Sequence, residues 1–139
     1  MSEAEVQREI LKRWGSHPKV RLWRTNAGRA YAETSTGFRP IAVNIPGLGD
    51  LTGWMMVDVP DEVWWRRILS VLLGEKRYVA VFLTIEVKSE TGRMRESQLV
   101  FRAQLLKMGG LHIVARSVAD VDRILGPLTK EEGKDARHV

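Results

Sequence analysis

Apolar residues recur along the chain with two alternating periods. From Glu3 to Trp14, the positions Val6, Ile10 and Trp14 repeat every fourth residue and Leu11 widens the stripe, which predicts an amphipathic helix. Ser2 suits its N-cap, Glu3 and Glu5 suit the positive end of its dipole, and Gly15 is a natural stop. Val20, Leu22 and Trp23 predict a first strand ending near Asn26. The stretch from Ala27 to Asp50 is rich in Gly, Thr, Ser, Asn and Pro, and predicts a long surface loop or an irregular hairpin around Arg39–Asn44. Leu51–Val59 predicts a second strand, and Glu62 to Leu73 a helix with Trp64, Trp65, Ile68, Leu69 and Leu72 on one broad apolar face. Tyr78 to Lys88 is the clearest strand. Val81, Leu83, Ile85 and Val87 share one face by period two, and Phe82, Thr84, Glu86 and Lys88 share the other. A mostly apolar helix over Ser97–Met108 closes in Gly109-Gly110, a short strand covers Leu111–Ala115, and Ser117 caps a last helix through Leu125, ended by Gly126-Pro127. The order predicts one α/β domain around a small mixed β-sheet flanked by helices.

Composition narrows the class. A chain of 139 residues with 44% hydrophobic and 28% charged residues has enough apolar content for one core and too much for a disordered chain. No apolar run is long enough to span a bilayer, so no membrane partner is expected, and the acidic, helical N-terminus does not read as a signal peptide. Cysteine is absent, which excludes disulfides, a thiol nucleophile and a Cys-ligated zinc, and fits a reducing cytoplasm. His17, His112 and His138 are scattered and do not suggest a His-rich metal site. Lys and Arg number 22 against 17 Asp and Glu, a net charge of +5 that points weakly to a polyanionic partner.

The chemistry gathers on the strongest strand. Glu86 and Lys88 lie on the same face, with Val87 directed into the core. Charges on an apolar strand are costly to desolvate unless they act together or with an ion; an ordinary strand-end ion pair is the plainer reading. Asp50 follows Pro46-Gly47-Leu48-Gly49, where Gly47, Gly49 and Gly53 let the backbone approach a bulky neighbour closely. If the two strands pair, Asp50 and Glu86 converge; alone, Asp50 would read as a turn residue. Two carboxylates and a main-chain carbonyl make a hard oxygen site suited to Mg²⁺ or Mn²⁺. The Gly47–Gly53 string misses G-x-G-x-x-G spacing and leads into a strand rather than a helix, which counts against a dinucleotide fold.

Pro46-Gly-Leu-Gly-Asp50-Leu-Thr-Gly53, then Ile85-Glu86-Val87-Lys88-Ser89-Glu90-Thr-Gly92-Arg93, then Gln98, resemble the VRR-NUC branch of the PD-(D/E)xK nucleases. Arg24-Thr-Asn26-Ala-Gly28, the Phe101–Gly110 helix end and Val114–Asp120 agree, so the resemblance covers roughly residues 3–125 and is greatest to short stand-alone phage and prophage members. It implies a restriction-endonuclease-like core. The nuclease domain would span 1–127, with a helical insertion at about 60–76 and a charged tail at 128–139. Asp50, Glu86 and the Val87 carbonyl would hold Mg²⁺ or Mn²⁺, Lys88 would position the attacking water, and Gln98 would orient Lys88 or a metal water. Glu3, followed by Val6-Gln7, best matches a Glu of the family's first helix, with Glu5 and Glu9 as competitors. Gly49 stands where the superfamily's motif has Pro.

The resemblance further implies a Mg²⁺/Mn²⁺-dependent endodeoxyribonuclease acting on branched or Holliday-junction DNA as a homodimer, in a bacterial or phage-infected cytoplasm. Arg24, Asn26, Ser89, Arg93 and Arg95 would contact DNA. Phosphate contacts from a basic surface supply affinity without sequence information. Three alternatives stand beside this reading: a non-catalytic nucleic-acid-binding module of the same fold, a hydrolase of small phosphate esters, and a structural protein. The five Trp read as core rather than as base-stacking platforms.

Overall fold

A computed structural model describes residues 1–25, 29–42, 45–59, 68, 70–71 and 78–130. The elements given below are α1 (Glu3–Trp14), β1 (Val20–Arg24), β2 (Arg29–Thr34), β3 (Gly37–Ala42), β4 (Leu51–Asp58), β5 (Tyr78–Val87), α2 (Glu96–Lys107), β6 (Leu111–Ala115) and α3 (Val118–Thr129). Four strands form a mixed sheet in the order β1-β4-β5-β6, antiparallel except for the parallel β5–β6 pair. The architecture is mixed α/β.

The apolar periods explain which surfaces meet. Val6, Ile10 and Trp14 of α1 and Val121 and Leu125 of α3 cluster with Leu22, Leu51, Met55, Leu83, Ile85, Val87 and Ile113 of the sheet. Truncating one of the fully buried aliphatics, such as Ile85, costs about 2–5 kcal/mol in a packed core. Ser2 and Glu5 form a reciprocal capping box that starts α1: Ser2 N donates to Glu5 Oε2 at 2.6 Å, and Glu5 N to Ser2 Oγ at 3.3 Å. Hydrogen bonding to Ser2 holds the Glu5 carboxyl below its ordinary range. Trp14 Nε1 donates to Asp122 Oδ1 at 2.8 Å and Arg13 Nε reaches the same oxygen at 2.7 Å, tying α1 to α3.

Several expectations need correction. The irregular hairpin is a regular two-stranded sheet, β2–β3, turning at Ser35-Thr36 rather than around Arg39–Asn44. Thr34 Oγ1 donates to the Gly37 carbonyl at 2.6 Å across that turn. The last helix does not stop at Gly126-Pro127 but runs to Thr129, past the expected domain limit. Pro127 removes one backbone donor, and Thr129 Oγ1 serves the nearby Leu125 and Gly126 carbonyls at 2.8 and 3.2 Å. Helix α2, expected to be apolar, has no buried residue; Leu99, Val100 and Leu106 are about half exposed. Its apolar residues spread round the helix instead of forming one stripe. The expected helix at Glu62–Leu73, its Trp64-Trp65 pair and the 60–76 insertion lie mostly outside the described residues, as does the 131–139 part of the tail. Ile68, Ser70 and Val71 are helical, and Ile68 is exposed. No helix among the described residues is long and apolar enough to cross a membrane.

Candidate metal and nuclease site

The sheet brings Asp50 and Glu86 together through register. Leu51 pairs with Ile85, so the next antiparallel position sets Asp50 opposite Glu86 at the end of β4 and β5. Directly opposed side chains share one face of the sheet. The chain reaches Asp50 through a turn whose residues suit it. Leu48 N donates to the Ile45 carbonyl at 3.1 Å, with Pro46 and then Gly47 (φ +81°) in the middle, the residue pattern of a type II turn. Gly47 lies against the Ser97 carbonyl of α2, where an added Cβ would come within 2.1 Å. A Cβ on Gly49 would meet the Ile85 carbonyl at 2.8 Å. The bulky neighbour these glycines accommodate is therefore the protein's own backbone.

Asp50 Oδ2 accepts a hydrogen bond from Val87 N at 2.7 Å. A strand residue's N–H and C=O point to the same side, so the Val87 carbonyl faces the Asp50 side as well. Lys88 Nζ stands 2.9 Å from Glu86 Oε1, and Gln98 Nε2 donates to that oxygen at 2.5 Å. Gln98 in turn accepts from Arg95 N at 2.7 Å through Oε1, so one amide caps α2 and holds Glu86. The amide thus orients Glu86 and not Lys88. These contacts leave Asp50 Oδ1 and Glu86 Oε2 without a hydrogen bond from another described residue.

Glu3 belongs to the same end of the molecule. Its Oε1 accepts from Ser89 N at 2.8 Å, and its charge is felt at Asp50. Glu5 is committed to the Ser2 capping box, which separates the two candidates. Burial raises the Asp50 carboxyl above its usual range, against the pull of the Val87 N–H and Lys88. Burial likewise raises Glu86, against the Lys88 hydrogen bond, and the Asp50 charge adds to the rise. A desolvated carboxylate pair of this kind gains most from a nearby cation. Among the described residues no three His, Asp or Glu side chains stand at metal-ligand spacing. An ion here would rest on Asp50, Glu86, the Val87 carbonyl and water.

The other expected residues are placed less closely. Arg24 is exposed at the end of β1, next to Thr25, whose N–H donates to the Asp50 carbonyl at 2.9 Å. Ser89, Arg93 and Arg95 are exposed after β5. Asn26 lies outside the described residues.

Two features escaped the sequence reading. Arg116 donates to the Ser89, Glu90 and Gly92 carbonyls, the last at 2.9 Å, and so clamps the loop that follows Lys88. The signal was the parallel pairing of β5 with β6, which sets the residue after Ala115 beside Lys88, the residue after Val87. The second is a polar row across the sheet: Thr25 Oγ1 meets Thr52 Oγ1, Thr52 pairs with Thr84, and Thr84 Oγ1 lies 2.7 Å from His112 Nδ1. His112 is buried, its Nε2 has no hydrogen-bond partner among the described residues, and desolvation pushes its pKa from 6.5 down to about 4.

The His112 shift has a signed consequence. The unfolded chain takes up this proton near pH 6.5 and the folded one only near 4, so folding stability falls as pH drops through that window. The loss is on the order of 3 kcal/mol. Asp50 and Glu86 act in the opposite sense, since raised values make stability fall as pH rises through them. Urea melts of wild type and His112→Gln at matched pH isolate the histidine: the difference in stability between the two should change by that order between pH 7 and pH 4. A constant difference would refute the assignment.

Comparisons with family models, with curated proteins and with solved structures found no match to the chain.

Proposed function

We propose that the protein is a Mg²⁺- or Mn²⁺-dependent DNA nuclease with a restriction-endonuclease-like core of the VRR-NUC kind, cutting branched DNA as a homodimer in replication, repair or recombination. The observation that carries this reading is the convergence of Asp50 and Glu86 across one strand end, with Lys88 and Gln98 bonded to the same Glu86 oxygen. The donor set fits a hard divalent cation: two carboxylates raised by burial, with a main-chain carbonyl turned to the same side. When bound there, the metal supplies a water of lowered pKa and neutralises charge on the phosphate.

The protein's own groups then have separate tasks. Asp50 and Glu86 would hold the ion and set its place relative to the strand. Lys88, on the same face and largely shielded from solvent, presents its ammonium to the attacking water and to charge growing on the phosphate. Gln98 keeps Glu86 in one rotamer from the start of α2. Arg116 keeps the Ser89–Gly92 loop closed against β6, which holds the DNA-facing side of the strand end in place.

Calorimetric titration with Mn²⁺ tests the metal site without any DNA. The wild type should bind, and Asp50→Asn should weaken binding about tenfold or more. Equal binding by the two proteins would refute the site. The 2.9 Å Lys88–Glu86 ion pair, which satisfies the carboxylate without a metal, favours one second reading, a nucleic-acid-binding module that does not cut. That module would bind DNA in a salt-sensitive manner and leave every substrate intact with Mg²⁺ present.

A further inference from the structure

The five Trp do not share one environment. Trp14 is in the core, but Trp23 is 43% exposed and Trp54 is 48% exposed. Their position follows from strand alternation. Val20 and Leu22 of β1 and Leu51 and Met55 of β4 face the core, so Trp23 and Trp54 project from the opposite face of the sheet. Phe82 of β5 pairs with Trp54 on that face and is 42% exposed. Trp23 and Trp54 meet edge to face, with ring centroids 5.2 Å apart and planes at 69°. Three adjacent aromatic rings left accessible on one sheet face are more than a scatter of surface apolar residues, and such a patch marks a binding surface.

Three observations identify the occupant. The aromatic group is flanked by Lys19, just before β1, and by Arg21 and Arg24 of β1, none paired with a carboxylate among the described residues. Arg21 pairs in register with Trp54 itself. Charge on an edge strand discourages strand pairing, but that need does not call for exposed Trp beside it. A depression of about 520 Å³ also opens beside the pair, lined by Leu11, Gly15, Ser16 and Arg21, of a size that accepts a flat small-molecule group. The third observation is continuity with the carboxylates: Phe82 and Glu86 lie on the same face of β5, four residues apart. That is about 13 Å at the strand's rise, or about four nucleotides at stacked spacing.

We propose that Trp23, Trp54 and Phe82 form a stacking platform for unpaired bases, so that the protein grips the single-stranded arm of a branched DNA next to the cut. Aromatic rings accept any base by its π-face while cationic side chains follow the phosphates, the combination by which proteins hold single strands. The inference rests on the nuclease reading for its link to cleavage, and it narrows the substrate to DNA with a single-stranded tail, in preference to a fully paired junction. Its binding part stands independently.

The test is fluorescence anisotropy with the full chain in EDTA, using labelled oligo-dT, a blunt duplex and the same duplex with a single-stranded tail. Tailed DNA should bind at least about tenfold more tightly than blunt DNA. Trp54→Ala should weaken tailed binding by about fivefold to a hundredfold and leave blunt binding little changed, whereas Trp54→Phe should restore most of the affinity. Equal affinity for tailed and blunt DNA, or tailed binding unaffected by Trp54→Ala in a protein whose thermal melt is normal, would overturn the platform. So would self-association abolished by Trp54→Ala, which would assign the face to a second copy. Binding is read in EDTA and cleavage of the same DNAs separately in Mg²⁺: a preference for tailed DNA with no cleavage once Mg²⁺ is supplied defeats the nuclease reading alone. Cleavage with equal affinities defeats the platform alone.

Discussion

Replacing Glu86 by Gln should reduce Mg²⁺-dependent cleavage of branched DNA by about a thousandfold, a loss of several kcal/mol of transition-state stabilisation of the size a catalytic metal provides. The substitution keeps the shape of the side chain and its ability to accept from Gln98 Nε2, so its position is retained while its charge is removed. At 3% exposure, losing the charge relieves a carboxylate desolvated beside Asp50 but leaves the Lys88 ammonium without its 2.9 Å ion-pair partner, so a thermal melt accompanies the assay. Lys88→Ala should lower cleavage comparably for a different reason: it removes the cation and leaves Glu86 without its 2.9 Å partner. The two variants separate by their metal response. High Mn²⁺ should restore part of the Glu86→Gln activity by mass action at a weakened site, and none of the Lys88→Ala activity. Wild-type rates in Glu86→Gln would show that this strand end is not where the chemistry occurs.

Gly47→Ala is the second large effect, and here the backbone decides. At φ +81° an L side chain costs about 1–2 kcal/mol. The Cβ would also stand 2.1 Å from the Ser97 carbonyl, which belongs to the first turn of α2 and is not a flexible tip. Moving that backbone adds about 1–3 kcal/mol, for a total of roughly 2–5 kcal/mol. The displacement falls on the two segments that deliver Asp50 and Gln98, so the variant should lose both melting temperature and Mn²⁺ affinity. Gly126→Ala, at a helical position with no atom within 4 Å of the added methyl, is the control and should leave both nearly unchanged. Thermal melts with and without Mn²⁺ measure the two effects together. A Gly47→Ala protein as stable as wild type would contradict the turn assigned to residues 45–48.

What could be read from the residues alone depended on how local the controlling physics was. The α1 helix was legible because its cap, its dipole charges and its apolar stripe all lie between Ser2 and Trp14. The pairing of Asp50 with Glu86 was legible because two strong strands with matching apolar periods admit few registers. The β2–β3 segment was read as a long loop or an irregular hairpin because Gly, Thr, Ser, Asn and Pro crowd it, and Pro40, which falls within β3, ordinarily argues against a strand; a two-stranded sheet, with an open edge on each strand, tolerates it. Helix α3 was cut short for the same reason, since Pro127 ordinarily marks a stop. The exposure of Trp23 and Trp54 was not legible at all. Alternation tells which side chains share a face of a sheet, but whether another element covers that face is decided by the packing of distant segments. The role of Arg116 was hidden in the same way, because its three carbonyl partners lie 24–27 residues earlier and adjoin it only through the parallel β5–β6 pair.

The VRR-NUC resemblance and the site geometry support one account through different links. The resemblance names Asp50, Glu86, Lys88 and Gln98 by motif order. The register, the shared Glu86 oxygen and the burial of both carboxylates bring those residues together on physical grounds. The most direct test incubates the wild-type chain with labelled four-way junction, flap, single-stranded and duplex DNA, each in Mg²⁺, in Mn²⁺ and in EDTA. The account predicts cutting of branched DNA with either metal and none in EDTA. Intact substrates under every metal condition, or cutting that persists in EDTA, would contradict it.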